Sequence, residues 1–544
     1  MATAAQDLPS YVRPELKAVM PTLTLCDDLL AGPERMWERA PAYIKKWPDE
    51  SAKVYELRRT CEPVFGGLAR TISAGVGMLF AKPLRVEYED NAPLFEPLVE
   101  NIDNAGTKLA VFAARFAEAA LRDGVAILVA DFPPPPTDAK GAPIRITAAN
   151  EAQFNLRPFL AMYTRARANN WVVEVVDNKT QLVAMTLTET ATVRSGLYGI
   201  KSVTRYRELA LSYTTEGVRV AAWRLTEIHT KDGAPVVVTV GAGTFRDRTG
   251  TPATALPIAI AYTGRVHAPM VADVPLQSVA YANLGHWRSA SNLTFNREVC
   301  GFEQLVVTGR LVDDTSGPKP IPGKIKIGPM QAVQVQEGGT VQWIGPSGKG
   351  LEQLEKGCAE KMVQMDQQGL GFLIPAKSVT QTATEARLDS HAQLASLTTA
   401  GIAIADALNE ALVWVAWYEG VPKAQAPSIE LQTNFDAQQM DAQTMGAYVA
   451  LVNAKFPKRA VLEALQAGGR LPEEADLDEL EIAWEAELQA QADQAAVDAA
   501  LVTPPTGAPA VPPAEAPPTP KKPRRFAITR GADGRPAALT EEIA

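Results

Sequence analysis

Few residues of this 544-residue chain stand at spacings that do chemistry. The nearest approach is "GPSGKG" at 345–350, whose Gly348-Lys349 pair resembles the end of a phosphate loop. Such a loop needs an opening glycine, a run of backbone N–H groups around the phosphates, and a Ser or Thr after the lysine to hold magnesium. Here Trp343 stands where the first glycine belongs and Gly350 replaces the hydroxyl, so the expectation is a strand-to-helix turn. Asp27-Asp28 and Asp313-Asp314 are adjacent carboxylates. Neighbouring side chains point apart on a helix or a strand, which favours solvated surface over a cation site.

The histidines at 229, 267, 286 and 391 have no partner at ligand spacing. The cysteines at 26, 61, 300 and 358 show no metal or redox spacing and no electropositive context that would lower a thiol pKa. No G-x-S-x-G stretch occurs. "NLT" at 292–294 matches a glycosylation acceptor, but nothing at the N-terminus resembles a secretory signal, so a reducing compartment is expected. The basic stretch "KKPRR" at 521–525 reads as a solubilising end. No enzyme, cofactor or metal is expected. The balance of 53 basic and 62 acidic residues gives −9, which argues against a tight grip on nucleic acid phosphates.

The elements that would carry a function are therefore read from pattern alone. Residues 1–130 have helical spacing, and "VAILVADF" at 125–132 then switches to the short continuous apolar run of a buried strand. Antiparallel sheet dominates from about 150 to 265, with "WVVEVV" and "QLVAMTLTET" joined across a four-residue loop, "DNKT". In 273–298 a helix returns. Leu276, Ala280, Leu284, Trp287, Ser291 and Phe295 form its seam, and Asn283, His286, Arg288, Asn292 and Arg297 its polar face. Short strands rich in Gly and Pro follow, and then a second helix.

Residues 382–420 read as one uninterrupted helix with a capping-box pair at Thr382 and Glu385 and a C-cap at Gly420 before Pro422. Leu394, Leu397, Ile404, Leu408 and Val415 lie on its packing stripe. The segment spans roughly 55 Å at 1.5 Å per residue. Asp406, Asn409 and Glu410 interrupt its apolar part, so no membrane span is expected. Further helices follow to about 488, and residues 503–523, with nine prolines, are expected to be disordered.

This order of segments resembles the portal proteins of tailed bacteriophages, the ring-shaped capsid vertex through which DNA passes. "YIKKWPDESAKVYELRRTCEPVFGGLARTISAGVGMLFAKPL" (43–84) is similar to the family's N-terminal block. "LRDGVAILVADFP" (121–133) is similar to its next strand and "RPFLAMYTRARANNW" (157–171) to the start of its sheet. "LGHWRSASNLTFNREVCGFEQLVVTG" (284–309) looks like its stem helix running into the clip, and "TATEARLD" (382–389) like the start of its long kinked helix. The resemblance covers about residues 8–490 and lies in the order of five blocks, with no counterpart for the tail.

It implies an α+β, portal-type fold assembled as a homo-oligomeric ring, typically of twelve subunits. The wing is expected over 1–272, the first stem helix over 273–300, the clip over 301–349 and the second stem helix over 350–372. A channel loop and long wing helix over 373–425, a helical crown over 426–490 and a Pro/Ala-rich disordered tail over 491–544 complete the division. Lys319, Lys324 and Lys326 are then candidates to dock the large subunit of the terminase motor, and Lys377, Gln381 and Thr382 to face DNA in the channel. Implied partners are double-stranded DNA, head-completion and tail adaptor proteins, and major capsid and scaffolding proteins in the virion or, during assembly, the host cytoplasm. Other virion adaptors and a packaging ATPase built around Lys349 are the competing readings.

A proline-rich segment contributes little buried surface. Removing residues 503–544 is therefore expected to leave ring assembly intact, as checked by electron microscopy; loss of rings would show that the tail orders against a neighbour.

Overall fold

The computed structural model describes residues 7–88, 91–133, 156–176, 178–215, 217–301, 349–369, 383–431, 458–467 and 475–486, with the strand pieces 304–308, 312–313, 317–318, 338–344, 525–530 and 536–542 and some isolated positions. It is a mixture of helices and mostly antiparallel sheet that divides into two units, 1–436 and 437–544.

The first unit begins with four helices. Pro14 opens α1 (Pro14–Ala31), and Gly32, at φ +95°, turns the chain into α2 (Pro33–Tyr43). The Ser51 hydroxyl accepts from the Val54 N–H at 3.2 Å and caps α3 (Ala52–Thr60). Then come α4 (Gly67–Leu79), the short strand β1 (Arg85–Glu87), α5 (Ala92–Val99) and α6 (Leu109–Asp123).

From α6 the chain turns directly into β2 (Val125–Asp131), all seven residues of which are buried. It is the central strand of a three-stranded antiparallel sheet, with β3 (Phe159–Thr164) on one side and a later strand, Ile258–Tyr262, on the other. A five-stranded antiparallel sheet follows in simple sequence order: β4 (Ala168–Val176), β5 (Lys179–Ser195), β6 (Gly199–Tyr213), β7 (Arg219–Lys231) and β8 (Ala234–Thr244). The β4–β5 loop is tighter than the four residues expected from sequence, because pairing runs up to Val176 and Lys179. Asn178 at φ +61° explains this, since Asn tolerates the left-handed conformation that tight turns need.

Strand β9 (Ile258–Tyr262) completes the smaller sheet, and the pair β10 (Val266–Ala268) and β11 (Val271–Ala272) leads into helix α7 (Gln277–Gly301). Strand β12 (Gln304–Thr308) continues α7. Beyond the two-residue pair β13 (Val312–Asp313) and β14 (Gly317–Pro318), β15 (Thr340–Ile344) pairs back on β12. It returns the chain into α8 (Lys349–Gln368).

The long helix of the sequence is α9 (Ala383–Tyr418), closed by Gly420 at φ +75°. Its stretch Ser396–Tyr418 has the length and apolarity of a membrane span, but Ile404, Leu408, Ala411, Leu412 and Val415 lie in the protein core with β2 and β9. The Asn409 amide is satisfied by the backbone of β16 (Ser428–Glu430), accepting from the Ile429 N–H at 2.8 Å and donating to its carbonyl at 3.1 Å. Strand β16 pairs with β1, so 428–430 is a strand of the first unit, where a helical region is expected from 426 onward.

The second unit holds α10 (Lys458–Ala467) and a further helix over 477–486, with an Arg459–Asp478 ion pair. It also holds the hairpin of β17 (Arg525–Arg530) and β18 (Pro536–Glu542), which differs from the unstructured tail expected over 491–544. The proline-rich residues 503–523 lie outside the described residues.

The α6–β2 turn is tightly closed. Gly124 sits at φ +76°, and a Cβ there would stand 2.1 Å from the Asp273 carbonyl oxygen. Gly124→Ala is expected to lose at least about 2 kcal/mol, since left-handed strain and a backbone clash add. Gly77→Ala, on the open side of α4 with nothing within 4 Å, is expected to gain roughly 0.5–1 kcal/mol. Chemical denaturation of both variants checks the contrast.

Candidate functional site

Helices α7 and α8 form an antiparallel hairpin prolonged by the β12–β15 ladder. Ala290 and Leu293 pack on Cys358, Leu351 and Leu354, and Arg297 pairs with Glu355. The foot of this hairpin, where it meets the N-terminal helices, carries the densest polar contacts to it.

The loop after α3 supplies the centre of that joint. The Glu62 carbonyl accepts two indole N–H groups, from Trp287 at 2.8 Å and Trp37 at 3.1 Å, and the Glu62 carboxylate accepts from the Thr294 hydroxyl at 2.7 Å. Asn283 bridges to α4 by accepting from the Leu68 N–H at 3.0 Å and donating to the Phe65 carbonyl at 2.8 Å. Arg288 donates to the Tyr43 carbonyl at 2.7 Å. The second helix of the hairpin is seated in the same place: Met365 packs over Gly67 and Gly369 over Thr71 of α4, so close that a Cβ on either glycine would stand 2.9 Å from its neighbour. Part of the polar face of α7 is thus a joint, with Asn283 buried and Asn292 half-buried, while Arg288 and Arg297 stay exposed.

Arg58 locks the joint from behind. Its side chain and that of Glu50 are each 2% exposed, and they meet in a two-point contact at 2.8 and 2.9 Å. Arg58 also donates to the Lys45 carbonyl at 2.8 Å and to Asn292 of α7 at 3.3 Å, with Trp47 stacked 3.9 Å below its guanidinium. The hydrogen bond from Arg58 holds the Glu50 carboxyl below the usual carboxylate range. Beside the joint His286 is half-buried, its Nδ1 without a partner, and burial pushes its pKa down.

Of the carboxylate pair Asp27-Asp28, Asp27 is exposed as expected and Asp28 departs from the solvated surface. The two do point apart, but Asp28 is buried between Arg35 at 3.0 Å, Arg39 at 3.1 Å and the Tyr43 hydroxyl at 2.5 Å. Asp27 meets Arg122 at 2.7 Å. The arginines of α2 and α6 claim both groups before a cation could.

A third cluster ties the two sheets together: Arg207 of β6 donates to Asp131 at the end of β2 at 2.6 Å and to Glu189 of β5 at 2.5 Å, and Tyr163 of β3 donates to Glu189 at 2.5 Å. Burial pushes the Asp131 carboxyl up, with Arg207 opposing it, and burial also raises the Tyr163 phenol. These three clusters join elements of the fold. Burial pushes the Cys26 thiol up to about 12 and raises Cys61 and Cys358 as well. Among the described residues no group of three His, Cys, Asp or Glu is placed to hold a metal.

Of the residues singled out in the sequence, Leu397, Ile404, Leu408 and Val415 are buried in the core, and Leu394 lies in the same helix. Lys319, Lys324, Lys326, Lys377, Gln381 and Thr382 lie outside the described residues. Lys349 is the first residue of α8.

Residues 275–419, the span from α7 through α9, match a family described only as a domain of unknown function, DUF4055. No curated protein matches the sequence. Solved structures similar to the chain come from gene transfer agent (GTA) particles. One is from the neck of the empty particle in C6 symmetry, with TM-score 0.35 and 13% identity over 78% of this chain and 99% of the other. Another, from the neck of the native particle in C12 symmetry, has TM-score 0.34 and 12% identity over 76% and 92%. A third, from the virion of the native particle, has TM-score 0.32 and 14% identity over 77% and 93%.

Removing one partner of a buried ion pair strands the other charge, so Arg58→Met is expected to cost about 3–5 kcal/mol in denaturant unfolding. The Arg58→Met/Glu50→Gln double variant is expected to recover part of that loss. The folded Glu50 carboxyl lies below its unfolded value of about 4.3, so its contribution is present above that pH and lost as the pH falls through the folded value. This acid-side loss is expected to flatten in Arg58→Met.

Proposed function

We propose that the chain is the portal protein of a tailed phage or phage-like particle, a ring through which DNA is packaged and ejected. The observation that carries the reading is the order of parts in one unit. A mixed wing gives way to an antiparallel helix pair, α7 and α8, ended by a short β ladder, and a helix of 36 residues then runs back through the wing core. A clamped foot and a β-tipped end suit a stem that carries a docking tip away from the wing. In this reading 1–272 is wing, 273–300 and 350–372 are stem, 301–349 is the clip, 373–425 holds the channel loop and long helix, and 426–490 is crown, except for β16, which pairs with β1 and goes with the wing.

The chain works as a conduit, not an enzyme. Twelve copies close the ring at the capsid vertex; the clip meets the terminase through Lys319, Lys324 and Lys326, and head-completion and tail adaptor proteins follow the motor on the same face. Lys377, Gln381 and Thr382 face the passing DNA. Small and hydroxylated side chains with one cation allow weak, reversible phosphate contacts, and the net charge of −9 keeps the lumen from gripping them. Contacts to major capsid and scaffolding proteins fall to the wing rim.

Negative-stain microscopy of the purified protein tests this. A ring with a central hole is expected, while monomers that hydrolyse ATP would favour the packaging-motor reading and end this one. Within the ring, changing Lys319, Lys324 and Lys326 to Glu is expected to impair packaging but not assembly; unimpaired packaging places the docking surface elsewhere.

A further inference from the structure

The five-stranded sheet runs well past the core that supports its near half. Pairing of β6 with β7 ends at Arg205 and Glu227; beyond it the β5–β6 ladder continues by itself to Ser195 and Gly199, and β7 and β8 run on as a separate ladder to Lys231 and Ala234. Most side chains here are exposed on both faces of the sheet: Thr190, Thr192 and Val193 on β5, Ile200, Lys201 and Ser202 on β6, and Ala234 through Val240 on β8. The tip presents Leu197, Tyr198 and Ile200 at 73%, 93% and 77% exposure.

That tip is built tightly. Gly196 supplies φ +75°, and a Cβ on Gly199 would stand 2.4 Å from the Ser195 carbonyl oxygen. Two glycines thus close a three-residue loop that holds Leu197 and Tyr198 outward. Displaying a leucine, a tyrosine and an isoleucine to water does nothing for the stability of a single chain, and an aromatic anchor on a rigid support is what binding surfaces concentrate.

We infer that this arm docks on a second copy of the chain, as a contact between neighbouring subunits. Charge selects the occupant. Residues 190–204 contain Arg194 and Lys201 and no carboxylate, while the chain as a whole carries −9. A positive, apolar-tipped arm is therefore complementary to the acidic remainder of its own kind. Double-stranded DNA would suit the cations, but it has no use for Leu197, Ile200 and Val193. Size sets the role: a stable interface needs about 800 Å² per partner, more than this tip offers, so the arm reinforces an assembly made by other surfaces. The inference to that extent rests on the ring reading.

The test places the photo-crosslinking residue p-benzoylphenylalanine at position 198 of the full chain, with position 213, an exposed tyrosine at the opposite end of β6, as control. Irradiated particles are expected to give chain-to-chain products from 198 and not from 213, lost in R194E/K201E. Leu197→Ser/Tyr198→Ser is expected to raise the protein concentration needed for assembly roughly tenfold or more, with the circular dichroism of the single chain unchanged. Rings that form with no chain-to-chain product at 198, or with equal yield at 213, overturn the docking inference and leave the ring reading intact. Products with added duplex DNA in place of protein also overturn it. A protein that stays monomeric overturns both.

Discussion

The fold of the first unit depends on burying β2 from every side. A strand with all seven residues out of water must find backbone partners on both edges and apolar cover on both faces. The edges are met by β3 and β9. Cover comes from α6 just before it in the chain and from α9 more than two hundred residues later. That demand explains why α9 is apolar enough to imitate a membrane helix over its second half. It also explains why Tyr418, at its end, directs its hydroxyl to the Ala130 carbonyl, and why Asp131, where β2 leaves the core, needs an arginine from the neighbouring sheet.

The hairpin of α7 and α8 stands in a different relation to the core. Its helices share a small apolar seam, and what fixes the pair is hydrogen bonding at one end, through groups the N-terminal helices supply. The Glu62 carbonyl with its two indole donors and the fully buried Arg58 do here what a hydrophobic seam does elsewhere. Polar joints of this kind demand a single geometry, because each unmet donor in a buried site costs about 1–3 kcal/mol.

Local pattern was enough for β2, for both ends of α9 and for the alternation of β4 to β8, where periodicity, caps and glycines are properties of neighbouring residues. The apolar stripe of α9 was legible too, in Leu397, Ile404, Leu408 and Val415. What the sequence hid is whatever depends on a distant partner. Asp28 reads as surface until Arg35, Arg39 and Tyr43 are brought around it, and Asn283 and Asn292 read as a wet face until the N-terminal helices cover them. The pairing of β16 with β1 joins residues more than three hundred positions apart, with only three residues on each side to signal it. The "DNKT" turn was misjudged for a smaller reason, the readiness of Asn178 to take a left-handed conformation.

A hairpin held at its foot is mechanically a cantilever. Measured from Trp287, at the centre of the joint, helix α7 runs on to Gly301, roughly 21 Å at 1.5 Å per residue. Over that lever arm each degree of tilt at the foot carries the end of the helix sideways by about 0.4 Å, and a tilt of about 5° by roughly 2 Å. Small rearrangements around Glu62 and Arg58, no larger than a change of side-chain rotamer, are thus magnified at the β12–β15 end into shifts the size of an atom. The joint sets where the far end points.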